Sequence, residues 1–264
     1  MSGGIEAIEV NLTLTPLSGI PLIRPGDDLA GIALQAADRM GIQWMDGDIL
    51  VFTQKIVSKA EGRLVNLRSL NPSQKAIELA QRVEKDPCLV ELILRESKEI
   101  LRVRPGLAIV EHRLGFVCAN AGIDHSNVYG EGDESQEWVL LLPENPDESA
   151  RVIRRKMEQT CKRRIGVMII DSHGRAWRMG TVGVAIGIAG VPGLVDLRGQ
   201  KDLFDYTLRV TQVGAADELA AAASLVMGQA AEGTPIVHVR GFPYSLREST
   251  LQELLRPKEM DLFR

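Results

Sequence analysis

The segment Ile165-Gly166-Val167-Met168-Ile169-Ile170-Asp171 contains the strongest strand signal of the chain and decides how its second half folds. Six residues with no charge, five of them apolar and bulky, followed by a carboxylate, are typical of a strand buried in a sheet. A second run of the same kind, Ile49-Leu50-Val51-Phe52, follows the turn signal Asp46-Gly47. The sequence therefore predicts a buried strand in each half of the chain.

Helices are predicted around these strands by capping residues, by Pro at first helical positions and by apolar residues at helical spacing. An Ala-rich helix is predicted over about 202–227, and shorter strands near 100–103, 107–110 and 138–142. The other predicted helices begin at capping side chains, which are Asp27 or Asp28, Asn71 before Pro72, Asp86 before Pro87, and Asn145 before Pro146.

The order of these elements predicts the fold class. Helices and strands are intermixed without the strict alternation of a doubly wound sheet, so we expect an α+β fold. The chain shows no repeat of solenoid period and no Pro/Ser-rich linker. We therefore expect residues 1–264 to form one compact domain of two interlocked lobes.

Composition excludes several classes of protein. Of the 264 residues, 45% are hydrophobic and the formal net charge is −4, so neither disorder nor general nucleic-acid binding is expected. No apolar run approaches the roughly 20 residues that span a bilayer, and the first residues lack a signal peptide's basic and apolar regions. Three cysteines without C-x-x-C spacing suit a reducing compartment. The expected location is the cytoplasm, with no membrane and no nucleic-acid partner.

Common catalytic signatures are absent from the sequence. There is no G-x-x-x-x-G-K-[ST] loop, no G-x-S-x-G and no H-E-x-x-H, and the four histidines lack zinc spacing. The glycines Gly183, Gly187, Gly190 and Gly193 lie three or four residues apart, which favours close backbone packing over dinucleotide binding. Any active site must be built from carboxylates, amides and lysines.

Two polar loops have the required character. Asp124 and Asn127 follow the apolar run Gly115-Phe116-Val117-Cys118, and Asp171 with Ser172 follows the buried strand 165–170. Ligands commonly bind at the carboxyl ends of sheet strands. Carboxylate and hydroxyl oxygens without soft ligands suit a hard cation such as Mg²⁺ or Mn²⁺ carried with a phosphate.

Ordinary interpretations remain open for each of these residues. D-x-x-N also forms an Asx-turn, and D-S-x-G also forms a β-turn. Lys59, in Ser58-Lys59-Ala60-Glu61-Gly62, could meet a phosphate, although a solvated lysine has the same pattern. His125 and His173 flank the two carboxylates, but a single loop histidine is more often structural, and no general base is identified.

Several blocks along the chain together resemble the coenzyme F420-0:L-glutamate ligase family. They lie in one order and cover nearly the whole sequence, which makes their combination far more specific than any one of them. The blocks are 19–23 with 26–29, 54–62, 115–124 with 126–127, 142–143, Asp171-Ser172-x-Gly174-Arg175, 183–187, and Met227-Gly228-Gln229-x-x-Glu232-Gly233-x-Pro235.

The resemblance implies an architecture. It implies a compact two-lobed ligase fold that forms an intertwined homodimer. Longer bacterial members carry a nitroreductase-like domain after the ligase part. Because this chain stops at Arg264, we expect only the ligase unit.

The resemblance also implies site residues. Lys59, Asp124 and Asp171 would be catalytic, and the metal ligands would be Asp124, Asp171, Ser172 and Gln229. Archaeal members of the family carry Thr where this chain has Ser172, and some members carry small hydroxyl residues at Gln54-Lys55. The nucleotide contacts would be Pro21, Leu22, Ile23, Arg24, Gln54, Lys55, Lys59, Asn127, Val226, Met227, Gly228, Gln229, Ala230, Ala231, Glu232 and Gly233.

The implied reaction is the GTP-dependent ligation of L-glutamate to the lactyl carboxylate of F420-0 through an acyl phosphate. A further, γ-linked glutamate could follow. Two Mg²⁺ or Mn²⁺ ions per subunit, and K⁺, are the expected cofactors. The same carboxylates would also suit a metal-dependent nucleotide hydrolase or phosphatase, and a non-catalytic nucleotide-binding module is a third interpretation. Turnover of GTP without glutamate would distinguish the hydrolase from the ligase.

Overall fold

A computed structural model describes residues 11–128 and 137–262 of the chain. Its strands, in chain order, are β1 Thr13–Pro16, β2 Ile49–Thr53, β3 Leu64–Asn66, β4 Ser97–Arg104, β5 Leu107–His112, β6 Val117–Ala119, β7 Trp138–Leu140, β8 Gly166–Arg175, β9 Arg178–Ala189, β10 Val195–Asp196, β11 Gln212–Val213 and β12 Ile236–Arg240. Its α-helices are α1 Leu29–Arg39, α2 Gln54–Ala60, α3 Gln74–Val83, α4 Pro87–Arg95, α5 Pro146–Cys161 and α6 Ala215–Met227. This mixture confirms the α+β class.

The largest sheet brings together the two strands that the sequence marks most strongly. Its order is β1-β12-β2-β8-β9, in which β2 and β8 are parallel and the other neighbours are antiparallel. The parallel register runs from Ile49 opposite Gly166 to Thr53 opposite Ile170. Strands β2 and β8 therefore run side by side to the same edge of the sheet.

Both faces of this sheet are buried, as the continuous apolar runs predict. Leu50 and Phe52 belong to a core cluster that also contains side chains of α1, α3, α4 and α5. Ile49 and Val51 belong to a second cluster, which α6 covers with Leu219 and other side chains. Burying each large side chain contributes about 1.5–3 kcal/mol, so helices on both faces hold the sheet in place.

The glycines of β9 allow the sheet and its helices to approach closely. A Cβ atom on Gly183 would lie 2.5 Å from the Ala220 carbonyl oxygen of α6. One on Gly187 would lie 2.5 Å from the Pro146 carbonyl carbon at the start of α5. No side chain fits at either distance, so the structure confirms that this glycine spacing serves backbone packing.

Smaller sheets flank the main one. β4, β5 and β6 form a three-stranded antiparallel sheet, β3 pairs with β7, and β10 pairs with β11. No helix in the described ranges has both the length and the apolar character needed to cross a membrane.

Two helix boundaries differ from the sequence prediction. The helix expected at Asn71-Pro72 begins at Gln74, because the Ser73 hydroxyl accepts the hydrogen bond from the Ala76 N–H. The Ala-rich helix starts at Ala215 after Gly214, not near 202, because Asp202 closes a turn by accepting from the Phe204 and Tyr206 N–H groups. Local side-chain hydrogen bonds at Ser73 and Asp202 therefore give these segments a structure other than the predicted helix.

Candidate functional site

The site begins where parallel strands β2 and β8 separate. Helix α2 starts directly after β2, so Gln54 and Lys55 follow Thr53 at the sheet edge, next to Asp171 in the register. β8 itself continues to Arg175 as an arm paired with β9, so the prediction that the strand ends at Asp171 is wrong. The edge still gathers both predicted loops.

Asp124 reaches this edge from a distant part of the sequence. Its backbone exchanges two hydrogen bonds with Leu140, at 3.0 and 2.9 Å, which fixes the loop after the 3₁₀ turn Asn120–Gly122. Gln54 Nε2 donates to Asp124 Oδ2 at 2.6 Å, and Lys55 Nζ lies 3.5 Å from Oδ1. Ser58 Oγ donates to Gln54 Oε1 at 3.0 Å, which orients the buried amide toward the carboxylate.

The Asp124 carboxyl group is held in an unusual electrostatic environment. Burial raises its pKa to about 6, the neighbouring Lys55 charge opposes that rise, and the charge of Asp171 adds to it. The two carboxylates are therefore close enough to repel each other. A site that collects negative charge away from water is stabilised by added cations.

Lys59 joins three segments of the site. Its Nζ donates to the Asn127 carbonyl oxygen at 2.7 Å, and Asn127 Nδ2 donates to the Ala230 carbonyl oxygen at 3.0 Å. Burial lowers the pKa of Lys59, and the charge of Lys55 lowers it further. Lys55 and Lys59 thus present two positive charges one helical turn apart, an arrangement suited to a phosphate chain.

Asp171 and Ser172 are each tied to a neighbouring side chain. His173 Nε2 lies 3.0 Å from Asp171 Oδ2, and the His173 ring packs 5.3 Å from that of Phe116. Ser172 Oγ donates to Gln229 Oε1 at 2.8 Å. The structure therefore brings the predicted hydroxyl and carboxamide together at the residue that follows the second carboxylate in β8.

The segment after α6 forms a tight turn that carries Gln229. Gly228 has φ +75° and ψ 179°, a backbone conformation that essentially only glycine adopts. Glu232 accepts a hydrogen bond from the Ala230 N–H at 2.8 Å. Of the predicted contacts here, Met227 is buried and Ala230, Ala231 and Gly233 offer backbone groups only.

The N-terminal predicted nucleotide segment lies beside the other end of α2. The Gly26 N–H donates to the Ala60 carbonyl oxygen, and the Arg24 N–H donates to Asp27. Leu22 is 91% exposed, whereas Ile23 is buried in the core and offers a ligand only its backbone. The segment borders the site, but no contact joins it to Asp124 among the hydrogen bonds of the described residues.

The oxygen atoms at the site fit a hard cation. Two repelling carboxylates, the Ser172 hydroxyl and the Gln229 carboxamide supply only oxygen ligands, which Mg²⁺ and Mn²⁺ prefer. Within the described ranges, no group of three or more His, Cys, Asp or Glu side chains could hold a metal ion. A cation here would depend on Ser172, Gln229 and oxygen atoms of a bound ligand as well as on Asp124 and Asp171.

Three supporting residues were missed by the sequence reasoning. Ser58 lies four residues after Gln54, a helical spacing that could have indicated the contact. Ser126 accepts a hydrogen bond from Lys55 Nζ at its hydroxyl, 2.6 Å away, and Ser224 Oγ accepts from Gln229 Nε2 at 2.9 Å. The Ser126 contact has no sequence signal, because it joins segments 71 positions apart. The Ser224 contact is local, since Ser224 lies five positions before Gln229 in the last turn of α6.

Known proteins resemble this chain over nearly its whole length. The family model described as F420-0:Gamma-glutamyl ligase matches residues 19–241. A relative from Methanothermobacter thermautotrophicus is 46% identical over 257 residues, or 97% of this chain and 100% of the relative. Relatives from Methanopyrus kandleri (45% identity; 92% of this chain, 93% of the relative) and Archaeoglobus fulgidus (43%; 94% and 95%) are similar. All three are named Coenzyme F420:L-glutamate ligase.

These matches confirm the family that the motif blocks indicate, and they favour an enzyme over a non-catalytic binding module. Asp124 with its loop, Asp171 and Ser172 of β8, helix α2 and the turn at Gln229 all lie inside the matched residues. The chain belongs to the F420-0:gamma-glutamyl ligase family, and it is a ligase that forms carbon–nitrogen bonds.

Proposed function

We propose that this enzyme joins L-glutamate to coenzyme F420-0, with GTP as the co-substrate that activates the carboxylate. The observation that carries the proposal is the meeting of Asp124, Asp171, Lys55 and Lys59 at one edge of the main sheet. This combination of two carboxylates and two lysines suits the transfer of a phosphoryl group. The names of the relatives supply the acceptor and the amino acid.

The reaction needs activation because a carboxylate does not condense with an amine at neutral pH. Transfer of the γ-phosphoryl group of GTP to the lactyl carboxylate of F420-0 gives an acyl phosphate and GDP. The α-amine of glutamate then attacks the carbonyl carbon, phosphate leaves with the carbon–oxygen bond electrons, and the amine loses a proton. A second glutamate would react in the same way through a γ-carboxylate.

The residues of the chain have separate tasks in this scheme. Lys59 and Lys55 would neutralise phosphate charge, and phosphoryl transfer depends mainly on such neutralisation and on positioning. Asp124, Asp171, Ser172 and Gln229 would hold two Mg²⁺ or Mn²⁺ ions per subunit. Such ions, with K⁺ as a further cofactor, supply charge stabilisation to phosphate oxygens. Gln54 and His173 would keep the two carboxylates oriented.

We also propose that the enzyme is a homodimer. Large apolar side chains are exposed on the β8–β9 arm, where Met179 is 97% exposed, and on the 203–210 loop, where Phe204 is 89% exposed. Leu225, near the end of α6, is 85% exposed. Large apolar side chains of this type are the ones that protein interfaces bury, and two-fold pairs are the commonest assemblies. The two-lobed shape and the cytoplasmic location stay predictions.

Mass spectrometry of the product tests the ligation. After incubation with F420-0, glutamate, GTP and Mn²⁺, the deazaflavin should gain the mass of one glutamate residue, or of two if a γ-linkage follows. Omitting glutamate should leave the mass of F420-0 unchanged. Unchanged F420-0 in the complete mixture, with GTP consumed, would favour the hydrolase.

A further inference from the structure

Both oxygen atoms of the Asp124 carboxylate face donors from the first two residues of α2. The Gln54 Nε2 group donates a hydrogen bond to Oδ2. The Gln54 side chain is fully buried, and its Oε1 accepts a hydrogen bond from Ser58. Lys55 faces Oδ1, with 24% of its side chain exposed. The first donor is a fixed neutral group, whereas the second is a charged group on a flexible stem.

The Lys55 ammonium group is surrounded by oxygen atoms. Nζ lies 2.6 Å from Ser126 Oγ, 3.1 Å from the Ser126 carbonyl oxygen and 3.5 Å from Asp124 Oδ1. An ammonium group has three N–H donors, and three acceptors stand around this one. Lys55 therefore sits beside Asp124 much as a small monovalent cation would.

We propose that Lys55 is a tethered counter-ion of Asp124, and that its ammonium group competes with a divalent cation for this carboxylate. The inference rests on the proposed function, which makes Asp124 a metal ligand. Two positive charges within about 4 Å repel each other strongly at a partly buried site. A divalent ion bound at Oδ1 must therefore displace the ammonium group, which then becomes available to the phosphates of the nucleotide.

Gln54 keeps its place during this exchange. Its amide is neutral and donates to Oδ2, so it does not repel a cation at Oδ1. The carboxylate thus remains oriented while its charged partner changes. The pair Gln54-Lys55 divides two tasks, holding Asp124 and neutralising it, between neighbouring residues.

Lys59 provides a matched control on the same helix. It carries the same charge one turn away, but its Nζ ends 2.7 Å from the Asn127 carbonyl oxygen. Removing either lysine takes one positive charge from the site. Only the removal of Lys55 also frees Asp124 Oδ1.

The test is a titration of the nucleotide-free protein with Mn²⁺, followed by electron paramagnetic resonance of the free ion. Lys55→Gln should bind Mn²⁺ about two- to fivefold more tightly than the unsubstituted chain, the range expected from losing a partly exposed ion pair. Lys59→Gln should change the affinity less than about twofold, because the charge it removes lies farther from Asp124. Equal effects of both substitutions, or no gain in Lys55→Gln, would overturn the proposal.

Two further variants complete the design. Ser126→Ala removes the hydroxyl that anchors Lys55 and should raise Mn²⁺ affinity in the same direction, so it replaces Lys55→Gln if that variant misfolds. Asp124→Asn should lose most Mn²⁺ binding. If Asp124→Asn binds Mn²⁺ like the unsubstituted chain, the metal site of the proposed function is refuted. If Asp124→Asn loses Mn²⁺ binding but Lys55→Gln and Ser126→Ala show no gain, only the counter-ion role of Lys55 is refuted.

Discussion

At the scale of single residues, the site depends on contacts between positions far apart in the sequence. Gln54 meets Asp124 across 70 positions, and Asn127 meets Ala230 across 103. Polar segments and their residue types could be recognised from the sequence, because Asp, Ser and Asn follow apolar runs, although the same residues also form ordinary turns. Their partners could not, since no local pattern encodes which loops meet at an edge of the sheet.

Replacing either carboxylate should remove catalysis without unfolding the protein. Asp124→Asn and Asp171→Asn should each lower the ligation rate at least about 100-fold, because even residues behind metal ligands commonly cost 10–100-fold. Asp196→Asn, at an exposed carboxylate paired with Arg198, is the control and should keep full activity. Near-normal rates in either site variant at limiting Mn²⁺ would refute these assignments.

A buried aspartate away from the site should make stability depend on acid pH. Burial tends to raise the pKa of Asp48, but the His238 imidazole 3.0 Å away and hydrogen bonds from Arg240 outweigh it and lower the pKa to about 2. A carboxyl pKa below its unfolded value stabilises the fold above about pH 4, and this stabilisation is lost as pH falls toward 2.

Urea unfolding at pH 6 and pH 3 measures this loss. The lowered pKa of Asp48 contributes about 2 kcal/mol to the free energy of unfolding at pH 6. The unsubstituted chain should lose part of this contribution at pH 3. Asp48→Asn should be less stable at pH 6 and should lose less on acidification. Equal losses in both proteins would show that Asp48 is not responsible.

At the scale of helices and strands, boundaries follow the side chains that cap them. Pro87 and Pro146 start α4 and α5 as predicted, because Asp86 and Asn145 accept hydrogen bonds from the first-turn N–H groups. The buried strands β2 and β8 could also be predicted, because each has a strong local pattern, a continuous apolar run. The start of α6 could not, because the segment from Asp202 to Gly214 carries no strong local pattern, and it forms a turn at Asp202 and strand β11 before the helix begins.

Replacing a helix N-cap residue should destabilise the protein more when its side chain makes a capping hydrogen bond than when it does not. Asp86 Oδ1 accepts from the Cys88 and Leu89 N–H groups, so Asp86→Ala should destabilise the protein by about 1 kcal/mol. Asp28 occupies the same position on α1 but makes no such bond, so Asp28→Ala should cost clearly less. Denaturant midpoints compare the two variants, and an equal or larger effect at Asp28 would contradict this reasoning.

At the scale of the whole molecule, large apolar side chains are exposed on one arm and one loop of the described residues. Besides Met179 and Phe204, Val210 is 86% exposed and Leu203 is 74% exposed. The α+β class follows from the order of elements in the sequence. The position of these side chains on one arm and one loop does not follow from the sequence order, because it depends on where β8 and β9 extend beyond the sheet.

Light scattering should therefore give twice the 28.9 kDa mass of the chain at micromolar concentration. An obligate dimer dissociates as it unfolds, so its melting temperature should rise with protein concentration. Phe204→Ser should weaken the dimer more than Lys201→Ser, a nearby change that removes no large apolar side chain. A mass near 28.9 kDa, with a concentration-independent melting temperature, would contradict the dimer.

Ligation and nucleotide turnover can be followed in one reaction by measuring GDP and the glutamyl amide product together. If the site formed by Asp124, Asp171, Lys55 and Lys59 couples phosphoryl transfer to amide formation, each GDP should accompany one new amide bond. GDP formation should then fall steeply when glutamate and F420-0 are both omitted. GDP released at an unchanged rate without either substrate would show that these residues serve a nucleotide hydrolase.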